Sequence, residues 1–224
     1  METEVQSAIW SLHPDKALGP DGFPIRFYRL FWPLIKKDLL RLISWMEKGN
    51  MGGATNSTFL ALIPKERNPS SIKKFRPISL CNASYKIFSK VLSLRLKQII
   101  PSLISPNQGG FISGRKISDN ILLVQEAIHS NAKKGDPGMA IKLDLANAFD
   151  RLRHEFIFLV LGKFGFPPIF INQIKACITS PWIAPLVNER PTEFFKASRG
   201  VRQGCPLSPF LYILVAHSFS KKNE

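Results

Sequence analysis

Apolar residues recur at Phe27, Leu30, Phe31, Leu34, Ile35, Leu39, Leu42, Ile43 and Met46. That three-and-four spacing predicts a helical segment from Pro24 to Met46, interrupted near Pro33. A short helix over residues 2 to 12 precedes it, ending at His13-Pro14, and the turn-rich "LGPDGFP" separates the two. "STFLALIPK" reads as a strand, "KERNPSSIKKF" as a basic connector, and "RPISLCNASYK" as a short apolar segment feeding a helix over roughly 83 to 100. "SDNILLVQEAIHSNAKKGDPG" is a helix, with Asp119 as N-cap, Lys133 and Lys134 near the end and Gly135 just past it. An amphipathic helix carries Phe149, Leu152, Phe156, Leu159 and Val160 on one side and ends near Gly165. Residues 168 to 178 are helical. "WIAPLVNE" and "TEFFKASRG" form a strand pair, and "SPFLYILVAHSFSKK" opens as a helix with Ser208 at the cap and Pro209 in the first turn.

In the run from Ala140 to Leu145, Ile141, Leu143 and Leu145 point one way and Lys142 and Asp144 the other, the signature of a half-buried strand. A carboxylate there is costly to desolvate unless a lysine, an arginine, a helix N-terminus or a metal ion meets it. Strands and helices mixed without strict alternation define an α+β fold.

On the predicted helix over 83 to 100, Lys86, Lys90 and Lys97 fall within about 40° of one another, opposite Phe88, Val91, Leu92 and Ile99. A solvated face accounts for such a stripe, and so does a surface turned toward nucleic acid. Charge keeps both readings open. The 224 residues hold 31 Lys and Arg against 16 Asp and Glu, a net +15. From Lys65 to Lys116 there are eleven basic residues and one acid, Glu66. Such a basic face attracts polyanions, nucleic acid above all. Cys81, Cys177 and Cys205 have neither zinc-site spacing nor an even count, so a reducing, intracellular setting is expected, nucleus and cytoplasm being equally compatible. No apolar run approaches the roughly 18 residues of a membrane span, and the acidic N-terminus is unlike a secretory signal, so a soluble protein with no membrane partner is expected. The four histidines form no ligand spacing.

Five stretches then occur in order: "LALIPK", "FRPISL", "NQGGFISGR", "IKLDLANAFDRL" and "RGVRQGCPLSPFLYIL". They closely resemble the successive motifs of the reverse transcriptases of non-LTR (LINE-type) retrotransposons, and "DKALGPDGFP" resembles the segment preceding the fingers in that family. The resemblance runs from about residue 5 to 216. It implies the fingers and part of the palm of a right-hand polymerase, with a helical segment over 1–55, a fingers-like region over 56–138 and a partial palm over 139–224. It also implies an RNA template, a DNA primer, dNTPs and Mg²⁺ as partners of the intact family.

Residue by residue, the resemblance places Asp144 as the first metal ligand with the Leu145 carbonyl beside it. Phe149 becomes the ring that crowds the sugar 2′ position. Gln203-Gly204 becomes the turn against the incoming nucleotide, and Lys65 and Arg76 the triphosphate grip, for which an ammonium and a guanidinium are apt. Lys86, Lys90, Lys97 and Arg115 are candidate nucleic-acid contacts, although an arginine after a glycine loop is equally well structural. Asp150 reads as a cap or a partner of Arg151 or Arg153. Asn147 departs from the lysine many relatives carry. The family's Tyr-x-Asp-Asp hairpin has no counterpart, since no Asp-Asp pair occurs in the sequence, and no thumb follows. One aspartate cannot hold two metal ions. The expectation is a truncated, inactive polymerase portion; the alternative is a non-catalytic remnant that binds RNA or an RNA–DNA duplex.

Overall fold

The computed structural model describes residues 1–134, 139 and 141–220. Three helices lead the chain: α1 (Glu2–Ser11), α2 (Ile25–Leu30) and α3 (Trp32–Glu47). The break expected near Pro33 falls at Phe31, and Pro33 sits in the first turn of α3, where its missing N–H is harmless. Strand β1 (Ser57–Pro64) turns through the basic connector and a one-turn 3₁₀ helix (Ile72–Lys74) into β2 (Phe75–Cys81), its antiparallel partner. The long helix α4 (Ala83–Leu103) follows, then α5 (Ile117–Lys134), α6 (Ala148–Arg151), α7 (His154–Lys163) and α8 (Pro168–Thr179). Strands β3 (Trp182–Val187), β4 (Arg190–Pro191) and β5 (Phe195–Lys196) precede α9 (Ser208–Ser220).

The sheet runs β2-β1-β3, with β3 parallel to β1 and antiparallel to both β4 and β5. The two-residue link between β3 and β4, Asn188-Glu189, has both residues at positive φ. That is the twist a tight hairpin requires. Directly opposed residues share a face. Thr58, Leu60, Pro77, Ser79, Ile183 and Phe195 therefore lie on one side of the sheet, and Phe59, Ile63, Arg76, Trp182 and Lys196 on the other.

One hydrophobic cluster runs from Val5 to Val215, with α4 at its centre against α1, α3 and α9. This changes the reading of the lysine stripe. Lys86 is only 7% exposed, because residues 17–22 cover that side of α4. Its ammonium donates to the Ala17 carbonyl (2.6 Å), and burial pushes its pKa down. The same loop caps the helix: the Asp21 carboxylate accepts from the Ala83 N–H (2.9 Å), and the Asn82 side chain bonds Asp21 N and Ala54 O. "LGPDG" is thus a capping device for a helix more than sixty residues away.

The strand expected around Asp144 is not formed. Residues 141–145 run without strand pairing, and Ile141, Leu143 and Leu145 are 74%, 86% and 60% exposed. Alternation alone does not make a strand, which needs a neighbour to satisfy its N–H and C=O groups; among the described residues none pairs here. Ala140 and Gly135 lie outside the described residues. Asp119 stands in the first turn of α5 rather than at its cap. The amphipathic helix read through 149–165 is two helices, because Leu152 is extended and ends α6.

At the N-terminus, Arg95 bridges Glu4 (2.8 Å) and Glu47 (2.8 Å), fastening α1 and α3 to α4. The hydrogen bond from Arg95 holds the Glu4 carboxyl below its ordinary value of 4.5, against the opposing effect of burial. A carboxyl whose pKa is depressed on folding stabilises the fold above its unfolded value, and that stabilisation is lost as pH falls through the folded one. Tm is expected to drop as pH is lowered below 4.5, and Arg95→Met to make that dependence shallower while lowering Tm at neutral pH, both read by thermal melts across pH. A Cβ on Gly19 would overlap the Cys81 carbonyl and Asn82 N. Gly19→Ala is expected to cost about 3 kcal/mol in urea unfolding.

Candidate active-site cleft

Between the Ser79 face of the sheet and the loop over residues 199–205 lies a cavity of about 320 Å³. Its walls include Pro77, Ser79, Tyr85, Asp150, Arg202 and Gln203. Backbone bonds hold the loop at both sides. Gly200 N donates to Leu152 O (2.7 Å) and Val201 N to Phe149 O (2.9 Å), while Ser79 N donates to Gln203 O (2.8 Å). His154 Nε2 lies 2.9 Å from Gly200 O. Gly200 and Gly204 adopt φ of +88° and +98°, and a Cβ on either would press on backbone, at Asp150 (3.0 Å) or at Ser79 O (3.2 Å). Glycine is needed at both positions for conformation and for closeness.

Under the loop, the Arg202 guanidinium is buried against the Tyr85 ring at 3.9 Å. It donates to Thr58 Oγ1 (2.8 Å) and Cys177 O (3.1 Å). The Tyr85 hydroxyl lies 3.3 Å from Cys205 Sγ. Burial pushes the Cys81 and Cys177 thiols and the Tyr85 phenol above their ordinary values, so these neighbours are neutral at physiological pH. The cation is therefore met by dipoles and a π face. A largely apolar cavity floored by such a charge suits a ligand that joins a planar body to an anionic group.

The structure brings only part of the sequence-derived site together. Gln203 lines the cavity, and the Gly204 backbone packs on Ser79. Phe149 borders the core, its ring stacked on Tyr212 at 5.1 Å. Lys65 and Arg76 stand at the far end of the β1–β2 hairpin, outside the cavity wall, with Lys65 Nζ donating to Lys73 O (2.9 Å). Asp144 and Leu145 lie on the exposed segment, also outside that wall. Lys90 is half-buried and Lys97 exposed on α4. Arg115 is occupied by the carbonyls of Ser105, Gln108, Pro101 and Ile104 (2.6–3.3 Å), so it clamps the end of α4. The structure thus gives Lys86 and Arg115 structural partners in place of the solvent-facing positions a nucleic-acid contact requires. Among the described residues, no group of three His, Cys, Asp or Glu side chains is placed to hold a metal ion. The described residues therefore do not fit a divalent-ion pair.

Sequence reasoning missed Arg202, Tyr85 and His154, and it read Asp150 as a local partner when its residue lines the cavity. A buried cation meeting an aromatic 117 positions away leaves no local signature.

The family model for reverse transcriptase (RNA-dependent DNA polymerase) matches residues 63–224. The chain belongs to the reverse transcriptase family. It is 34% identical over 217 residues to the transposon TX1 uncharacterized 149 kDa protein of Xenopus laevis, covering 96% of this chain and 17% of that protein. It is 29% identical over 197 residues to the retrovirus-related Pol polyprotein from the type-2 retrotransposable element R2DM of Drosophila melanogaster, covering 88% and 18%. With the probable RNA-directed DNA polymerase from the Drosophila melanogaster transposon X-element, identity is 29% over 154 residues, covering 68% and 16%. The chain thus spans less than a fifth of the length of these three relatives, whose names place them in transposable elements. No helix among its described residues is long and apolar enough to cross a membrane.

Arg202→Lys is expected to destabilise the protein by about 2 kcal/mol, since an ammonium cannot lie flat on Tyr85 and reach both acceptors. Chemical unfolding of the two proteins measures the difference.

Proposed function

We propose that this chain supplies the nucleotide-facing fingers and part of the palm of an RNA-directed DNA polymerase of a LINE-type retroelement, working inside the cell. One observation carries the reading. The Ser79 N–Gln203 O bond joins "FRPISL" to "RGVRQGCPLSP" across more than a hundred residues. Four of the five motif blocks line the cavity beside it, through Leu60, Ser79, Asp150 and Gln203. In this reading the Gln203-Gly204 turn faces the base of an incoming dNTP. The cationic hairpin end, with Lys65 and Arg76, approaches phosphates, and Phe149 narrows the space beside the sugar. Asp144 would supply one carboxylate and Leu145 a carbonyl to a divalent ion only if further ligands joined them. Divalent ions in such enzymes activate the 3′-hydroxyl and stabilise the leaving pyrophosphate. Among the described residues the donors for that site are not assembled, so no catalytic step is assigned to it.

The chain by itself is expected to bind an RNA–DNA primer-template without extending it. The segment 65–116, with its ten-charge excess, also supports a second reading, a non-catalytic binder of RNA or RNA–DNA. Primer extension on an RNA template, run with the wild-type chain and Asp144→Asn, tests the first point. Incorporation by wild type alone would show that the chain completes the ion site unaided, overturning the assignment. Anisotropy titrations of the same duplex should show affinity falling steeply with salt, by orders of magnitude between about 50 and 200 mM if six or more phosphates are contacted. A salt-independent affinity would remove both readings.

A further inference from the structure

Four serines of the chain stand three residues after an arginine: Ser44, Ser70, Ser79 and Ser118. An arginine-directed protein kinase reads that spacing, since its acidic groove takes the guanidinium and sets the hydroxyl against the γ-phosphate of ATP. The fold withholds three of the four. Ser79 is 5% exposed within β2. Ser44 is half-buried inside α3, where the helix cannot open to lie in a groove. Ser118 stands in the first turn of α5, and the guanidinium before it, Arg115, is taken up by four carbonyls. Ser70 differs on each count. It is exposed in the connector between β1 and β2, outside any helix or strand, and Arg67 is exposed with it. Next to it Ser71 is extended, with φ −148° and ψ 156°. An extended segment is the form in which a chain is presented to another protein's groove.

We infer that Ser70 is a phosphorylation site for an arginine-directed serine kinase, and that the phosphate silences the cationic end of the β1–β2 hairpin. The γ-phosphoryl group passes from ATP to Ser70 Oγ: a P–O ester bond forms, the bond to ADP breaks, and the hydroxyl proton leaves to the kinase's base. From Lys65 to Arg76 the chain carries five basic residues and one acid, a net charge of +4. The acid, Glu66, is already paired with Lys74 at 2.6 Å. Among the described residues no carboxylate pairs with Lys65, Arg67, Lys73 or Arg76. A phosphoserine carries about −2 at neutral pH, and Ser70 lies three residues from both Arg67 and Lys73. Its oxygens draw these cations inward and leave roughly half of the hairpin's charge for a phosphodiester backbone. The consequence for nucleic acid rests on the function proposed above; the modification itself does not.

The test incubates the full chain with ATP and a calmodulin-dependent protein kinase, which selects a single arginine at that spacing. Intact mass and peptide mapping are expected to place one phosphate on Ser70. Ser70→Ala and Arg67→Ala should each remove it, while Ser44→Ala and Ser118→Ala leave it in place. No phosphate on Ser70, or as much on Ser44 or Ser118, would overturn the assignment. The phosphorylated chain is then titrated against the RNA–DNA primer-template. Its affinity should fall about tenfold, and the slope of log affinity against log salt should become shallower by roughly 2. Ser70→Ala carried through the same treatment should bind as the untreated wild type. A phosphate that maps to Ser70 yet leaves affinity and slope unchanged would overturn the switch. Heparin chromatography reads the same loss of charge with a polyanion that needs no primer-template site. Weaker retention there, with no duplex binding by either form, would count against the proposed function and uphold the switch.

Discussion

A guanidinium taken out of water is the constraint on which the rest of this molecule depends. Arg202 gathers Thr58 from β1, Tyr85 from α4 and the Cys177 carbonyl from α8 around one charge. No carboxylate is among these partners, so the group is stabilised by orientation: two oxygen dipoles and the electron-rich face of a ring. Directional partners of this kind fix where three elements stand relative to one another more tightly than apolar packing does. They also set the height of the 199–205 loop over the sheet, and hence the depth of the cavity. The glycines on either side of Arg202 let the loop descend far enough for the contacts to close.

Much of this architecture was legible in the sequence, and the parts that were not share a cause. The 3.6-residue period locates α1, α3, α4, α8 and α9 closely, and β1 follows from its apolar run, whereas β2 reads only as a short apolar segment and its antiparallel pairing with β1 comes from the structure. Failures occur where burial is decided by distant chain. Lys86 reads as solvent-facing because nothing near it announces that residues 17–22 will cover it. Asp144 sits in a well-formed alternating pattern, yet a strand is a relationship between two segments, and the pattern describes only one. The break between α6 and α7 arises because Phe149 and Leu152 offer their carbonyls to the 199–205 loop, a demand invisible in local propensity.

For the site, the resemblance gave Gln203-Gly204 as the turn against the incoming nucleotide; in the structure that turn meets the sheet at Ser79, and the family match agrees with the resemblance as a whole. Residue types that act by direct contact with a ligand stand out in such motifs. Arg202 and His154, which act through other protein groups, do not, although Arg202 lies inside the same motif as Gln203. The exposed stretch around Asp144 and the apolar side chains displayed on α5 stand apart from the core. They contrast with the well-tied region around Arg202.

The stitching of residues 17–22 onto the start of α4 has a consequence for how this sequence can vary. Asp21, Asn82 and Ala54 belong to what looked like separate segments, yet each satisfies a polar group of another. A boundary drawn at residue 55 therefore cuts through a shared joint. Chimeras that exchange the leading helices between relatives would succeed only if the partner residues travelled with them, so the two stretches are bound to a common evolutionary history.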